Sequence, residues 1–222
     1  GTVPFAIASA LADSDKKDLG CHTGTISDAY RKLYLAGKLT NARKEFDTGR
    51  SSFNLAMGSS DFYDWLRENP DLFRPDSIDY IHDPARIGKL SRVISINGGV
   101  QVDLMGQENA ESANGMQLSG IGGQMDFLEG AFRSAGGCGY ICINSSRLTK
   151  DGVRKSNILP FIPGGSTVSA PRTLIEAVAT EYGIAHLAGK SLAERREAMI
   201  AIAHPDFRDA LRLEKPDLSL FL

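Results

Sequence analysis

Twice near its start the chain runs from a short apolar stretch into glycine and on into a capped amphipathic helix, and this repeat limits the fold more than any other feature. Residues 18–23 read as a strand ending at Gly24, after which Ser27 and Asp28 cap a helix over 29–36 with Gly37 as its stop. Residues 53–57 repeat the scheme: Gly58-Ser59-Ser60 ends the strand, and a helix over 62–67 stops before Asn69-Pro70. Two strand–helix units imply a parallel sheet. Ahead of them, Phe5, Ile7, Ala8 and Leu11 form a helical stripe with Pro4 in its first turn. Further on, residues 93–96 are nearly all apolar and 100–104 alternate, with Asn97-Gly98-Gly99 between, so a hairpin or a pair of neighbouring strands is expected. Residues 140–143 and 177–182 add strands, with a charged loop carrying Arg147, Lys150 and Arg154 after the first. Ser191-Leu192-Ala193-Glu194 is a capping box opening a helix to Ala203, and His204-Pro205 precedes a last helix over 206–211. The apolar tail at 218–222 is expected to dock on a surface or on a missing neighbour. The expected fold is α/β, one domain over 1–222, with an open, mostly parallel sheet and helices on both faces.

Composition excludes several classes of function. Lys plus Arg number 25 against 27 Asp plus Glu, a formal net charge of −2, and no basic stripe draws the chain to nucleic acid or an anionic membrane. No run of 18 apolar residues exists, and no leader is visible, so a cytoplasmic location is expected. Cys21, Cys138 and Cys142 are an odd number without a Cys-x-x-Cys, and His22, His82, His186 and His204 share no helix-face spacing, so no metal is expected. Gly189-Lys190-Ser191 imitates the end of a phosphate-binding P-loop. The first glycine of that motif is missing, however: Ile184 stands in its place.

The chemistry is expected at Gly120-Ile121-Gly122-Gly123-Gln124, which runs into an apolar-periodic helix through Asp126, Phe127, Leu128, Ala131 and Phe132. Three glycines in four positions permit positive φ and let backbone N–H groups approach a ligand, and a helix N-terminus favours an anion or a developing oxyanion. A tight turn uses glycine equally. The dinucleotide fingerprint needs a third spaced glycine where Met125 stands, which argues against a Rossmann cofactor site.

Several stretches together resemble the acetyl-CoA hydrolase/transferase family, which includes acetate, butyrate and 4-hydroxybutyrate CoA-transferases. They are Asp18-Leu19-Gly20-x-His22-Thr23, Ser27-Asp28, Asp79-Tyr80-x-x-Asp83-Pro84, Ser95-Ile96-Asn97 and Gln101-Val102-Asp103-Leu104 with Gly106-Gln107. After these come Gly120-x-Gly122-Gly123-Gln124-x-Asp126-Phe127, Thr180-Glu181-Tyr182-Gly183-Ile184-Ala185 and Ile202-Ala203-His204-Pro205-Asp206-Phe207-Arg208. The resemblance implies a CoA-transferase-like (NagB/RpiA-like) fold made of two similar halves. This chain resembles the C-terminal half alone, so a missing N-terminal half is an expected partner, with acyl-CoA and a carboxylate as small-molecule partners and a homo-oligomer as the assembly. Coenzyme A enters as substrate. Cofactor-binding positions implied are Gly120, Ile121, Gly122, Gly123, Gln124 and Asn97, and Gly122 and Gly123 carry over as oxyanion donors.

In that family a glutamate attacks the thioester and carries CoA covalently, which splits acyl transfer into two easier steps. The resemblance puts it two residues after His22, where this chain has Gly24, and no acidic residue lies between Gly20 and Ser27 to take the role. An asparagine expected before Asp83-Pro84 is His82 here. The expected function is therefore acyl-CoA hydrolysis or CoA transfer without that nucleophile, with His82 as a catalytic base or a substrate hydrogen-bonding group. Asp28, Asp126, Glu108 and Glu111 are the candidate replacement carboxylates. The alternative is a non-catalytic CoA-binding module or an inactive scaffold.

Overall fold

The computed structural model of the chain describes residues 2–113 and 115–214, with side chains from residue 6 onward; the apolar tail at 218–222 lies outside them. The elements begin with α1 (Thr2–Ala12), β1 (His22–Ile26), α2 (Asp28–Leu35), β2 (Ser51–Ala56), α3 (Ser60–Glu68), β3 (Phe73–Pro75), α4 (Ile78–Ile81) and α5 (Pro84–Ile87). Next come β4 (Ile94–Gly98), β5 (Gln101–Asp103), β6 (Glu108–Asn109), β7 (Ser112–Ala113), β8 (Met116–Gln117), α6 (Gln124–Arg133) and β9 (Cys138–Cys142). The chain continues with β10 (Ser146–Leu148), β11 (Arg154–Ser156), β12 (Ile158–Leu159), β13 (Ala177–Thr180), β14 (Gly183–His186), α7 (Leu192–Ala201) and α8 (Pro205–Leu213). The fold is α/β. It divides into two compact units, one of Gly1–Ser95 with Asp126–Cys138 and one of Ile96–Met125 with Gly139–Leu222.

The first unit is built on a three-stranded sheet, β1-β2-β3, in which both pairings are parallel, as the two strand–helix repeats predict. The first strand differs from expectation. Asp18 takes φ 54°, outside the extended region, and the Cys21 N–H is claimed by the Asn41 side chain at 2.7 Å, so β1 starts only at His22 and runs on through Gly24 to Ile26. Gly24 is thus a mid-strand residue. Ser27 makes no side-chain cap bond to α2; Asp28 instead accepts from the Ser59 N–H at 3.0 Å and Oγ at 2.7 Å, fastening the start of α2 to the N-cap of α3. Two apolar clusters fill this unit. Ile26, Phe53, Phe62, Trp65 and Phe73 form one, and Ala8, Ala12, Cys21, Ala29, Leu33 and Leu39 the other. Full burial of each larger side chain contributes about 1.5–3 kcal/mol before chain entropy is charged.

In α6, Gly130 lets the helix approach α5: a Cβ there would lie 2.4 Å from Cγ2 of the fully buried Ile87. Overpacking of that kind costs about 1–3 kcal/mol, against a gain in helix propensity of roughly 1 kcal/mol for alanine over glycine. Gly130→Ala should therefore lower the urea midpoint, although alanine is the better helix former. A raised midpoint would show that Ile87 yields freely.

The second unit holds a four-stranded sheet ordered β14-β13-β9-β4 and a three-stranded sheet ordered β12-β5-β6. β13 is parallel to β9 and antiparallel to β14, and β5 is parallel to β12 and antiparallel to β6. The expected hairpin of residues 93–96 and 100–104 is not formed, because β4 and β5 belong to different sheets. Nor are Arg147 and Arg154 on an open loop. They sit on the antiparallel pair β10–β11, donating to Asn157 Oδ1 and Ser146 Oγ. The capping box at Ser191 is present with both its bonds.

Candidate active site

In the first unit the β1–β2 register, His22 opposite Ser52 through Ile26 opposite Ala56, sets Gly24 level with Asn54. His82 is the C-cap of α4, and Asp83-Pro84 starts α5 immediately after it, with the Asp83 carboxylate accepting from the Ala85 N–H at 2.9 Å. This double turn aims the imidazole at the two strands. Nδ1 lies 3.2 Å from Asp126 Oδ2 in the first turn of α6, and Nε2 lies 3.2 Å from Asn54 Oδ1. The ring packs edge-on to Phe127 at 5.2 Å between centroids.

Gly24 is the reason the ring fits. A Cβ on residue 24 would stand 2.9 Å from His82 Nε2, 3.3 Å from Cε1 and 3.5 Å from Phe127 Cε2. The imidazole fills the space into which any side chain at position 24 would project.

The three polar groups form a chain, Asp126–His82–Asn54, with a definite proton logic. With Asn54 Oδ1 against Nε2, the amide accepts from an Nε2–H; a ring protonated at Nδ1 alone, donating to Asp126, would meet the amide only with its NH2 turned inward. A doubly protonated ring donates from Nε2 as well, and the same amide meets it with its oxygen. The His82 side chain is 13% exposed and that of Asp126 41%, so the histidine is largely shielded and the carboxylate keeps water as a further partner.

His22 is a contrast only two residues from Gly24. Its Nε2–H donates to the Ile81 carbonyl at 2.8 Å, its Nδ1 is buried without a partner, and burial pushes its pKa down to about 4. It stays neutral and holds the end of α4 to β1. Asp28 is likewise committed to structure, since the Ser59 hydroxyl bond holds its carboxyl below the usual range.

The glycine loop and Asn97 belong to the second unit. Gly122 takes φ +61°, which favours glycine, and nothing stands within 4 Å of a Cβ at Gly120 or Gly122. Gly120, Ile121 and Gly122 are exposed, Gly123 and Gln124 half-buried, and Asn97 is half-buried in β4. The loop runs directly into α6, whose first N–H groups lack intrahelical acceptors. The Gln124 amide donates to Glu108 Oε2 at 2.7 Å. Of the sequence-derived residues, the structure brings Gly24, His82 and Asp126 together. Asn54 and the bond between Gln124 and Glu108 escape the sequence reading; the parallel pairing of the first two strands was the available signal for Asn54. Among the described residues no group of three His, Cys, Asp or Glu is placed to hold a metal ion, and no helix is long and apolar enough to cross a membrane.

The α/β fold thus carries a histidine–carboxylate pair in its first unit and a glycine loop that feeds a helix in its second. The chain belongs to the acetyl-CoA hydrolase/transferase family: the model of that family's C-terminal domain matches residues 58–215. It is 44% identical over 211 residues to the butyryl-CoA:acetate CoA-transferase of Anaerostipes caccae, covering 95% of this chain and 47% of that protein. It is 41% identical to the 4-hydroxybutyrate coenzyme A transferase of Clostridium kluyveri, covering 96% of this chain and 48% of that protein. The crystal structure of RipA from Yersinia pestis is similar with a TM-score of 0.87 at 40% identity, over 96% of this chain and 47% of that one. The chain spans about half the length of the relatives it matches.

Proposed function

We propose that the protein acts on acyl-CoA thioesters, with His82 as general base oriented by Asp126, and that it does so without a glutamyl-CoA intermediate. The observation that carries this reading is the fit of the His82 ring into the space left by Gly24. The family resemblance puts the nucleophilic glutamate at that position, and an imidazole in its place activates a small nucleophile instead. Water displaces the Asn54 amide from Nε2, attacks the thioester carbonyl and gives its proton to that nitrogen. The C–S bond then breaks, the thiolate recovers that proton from the imidazolium as free CoA, and the carboxylic acid formed loses its own proton to solvent. The glycine loop, through backbone N–H at Gly122 and Gly123, is proposed to hold the oxyanion, a role worth about 3 kcal/mol of transition-state stabilisation. Gly120, Ile121, Gln124 and Asn97 are proposed to line the CoA-binding side. A preceding half is proposed to complete the site, which the length of the relatives supports.

A base has work to do on water and none on an acceptor carboxylate, which is already ionised at neutral pH. The pair at His82 therefore favours hydrolysis. Direct CoA transfer to a carboxylate is the second reading, supported by the transferase names of the relatives. A thiol-release assay on the complete protein with short acyl-CoAs, run with and without acetate, separates them. Acceptor-independent release is the expected result; exchange only with acetate would favour transfer, and CoA binding with neither would leave a binding module.

A further inference from the structure

Glu108 has no solvent exposure, and its carboxyl is held at one oxygen only. Oε2 accepts from the Gln124 side-chain amide at 2.7 Å, while Oε1 is buried without a partner. That oxygen lies 2.8 Å from the point where a Cβ of Gly99 would stand, and Cγ2 of Ile143 and of Ile141 approach the same point at 3.0 and 3.1 Å. The carboxyl occupies room that exists because residue 99 is glycine, and it faces an apolar wall there. Its backbone is pinned as well: the Glu108 N–H donates to the Ala170 carbonyl at 3.0 Å, and its carbonyl accepts from Ser169 at 2.8 Å.

A second carboxyl accompanies it. Glu111 is 9% exposed, and its Oε2 is also buried and unpartnered. The turn between them is set by Asn109, whose Oδ1 accepts from the N–H groups of Glu111 and Ser112. The Glu111 carbonyl accepts from the Leu118 N–H at 2.7 Å. Residues 118–124, which contain the glycine loop, are thus held at their start by the Glu111 backbone and at their end by the Glu108 side chain.

We propose that Glu108 is a positioning residue for the glycine loop, holding it through the bond from Gln124, and that loss of the Glu108 proton tightens that hold. Ionisation makes Oε2 a stronger acceptor for the Gln124 amide, while the charge it leaves against the isoleucine wall and beside a second carboxyl opposes it. Burial pushes the Glu108 pKa up to about 7, with the Glu111 charge adding to the rise and the Gln124 bond opposing it. Glu111 is the charged group acting on it; Gly99, Ile141, Ile143, Ser169 and Ala170 present none. The link to catalysis rests on the proposed oxyanion role of the loop, but the hold itself does not.

The test is pH titration from 5 to 9 of the complete protein labelled with 15N in glutamine and glycine. The Gln124 side-chain amide and the Gly122 and Gly123 amides should shift with a shared midpoint near 7. In Glu108→Gln, which keeps the shape and an acceptor, that titration should vanish, and Glu111→Gln should move the midpoint down. In turnover, Glu108→Gln should lose an acidic limb of the kcat profile, and Glu108→Ala should lower kcat about tenfold or more through misplacement of the loop. Unchanged titration of these amides in Glu108→Gln overturns the proposal. A CoA adduct trapped on Glu108 overturns it too, by making that carboxyl the reacting group. Absence of turnover in the wild type would sink the proposed function and leave the amide titration as the deciding measurement.

Discussion

Replacing His82 by alanine should lower thiol release from acyl-CoA by about a hundredfold or more, the usual contribution of a positioned general base. The ring is placed by the turn between α4 and α5, oriented by Asp126 at 3.2 Å and packed on Phe127. Since the loss is in proton transfer, kcat should fall with little change in KM. Asp126→Asn should act in the same direction but less, because the half-exposed carboxylate is proposed to orient the ring rather than to take the proton. No glutamyl adduct should be trapped by borohydride on residues 18–28, and the kinetics should be sequential. An unaffected His82→Ala variant showing ping-pong exchange would move the chemistry to another carboxylate.

Placing a glutamate at position 24 alone should be as damaging as removing the histidine. In Gly24→Glu the new Cβ arrives 2.9 Å from His82 Nε2, inside contact distance, and the rest of the side chain must displace the imidazole from Asp126 and Asn54. Turnover should fall by about a hundredfold or more, since both the base and its orientation are lost. The partner substitution is the informative one. In Gly24→Glu/His82→Asn the ring is gone and the pair matches the arrangement that the family resemblance implies, so a covalent route opens: ping-pong exchange with acetate, and a borohydride-reducible modification on the new glutamate. A Gly24→Glu variant that keeps wild-type hydrolysis would show that the ring and residue 24 do not compete for space.

The parallel β1–β2 pairing was legible because its signals are local: each strand is followed within a few residues by its glycine and its helix cap. Its details were not. Gly24 reads as a strand terminator by residue type, yet it lies inside β1, where its missing side chain makes room for a ring that arrives from residue 82. Asn54 looks like an ordinary exposed strand residue until the register sets it beside that ring. β4 and β5 were misjudged as neighbours because β4 finds β9 and β5 finds β6 and β12, pairings that no window of adjacent residues records. β14 passed unnoticed because the two residues between Thr180 and Gly183, Glu181 and Tyr182, carry no hairpin-turn signature. At the candidate site, then, the residue types were visible and their company was not.

The chain passes between its two units at Ser95, at Met125 and at Cys138. During synthesis from the N-terminus, the first unit therefore cannot close when residue 95 emerges: the α6 segment that carries Asp126 and Phe127 against His82 is still unmade. Residues 96–125 emerge before either unit is complete, and they include Glu108, whose backbone partners Ser169 and Ala170 come some sixty residues later. Until residues 141 and 143 follow, the pocket of Gly99 stands open on a nascent chain, and the two units reach completion in sequence, the first at residue 138 and the second only with its C-terminal helices.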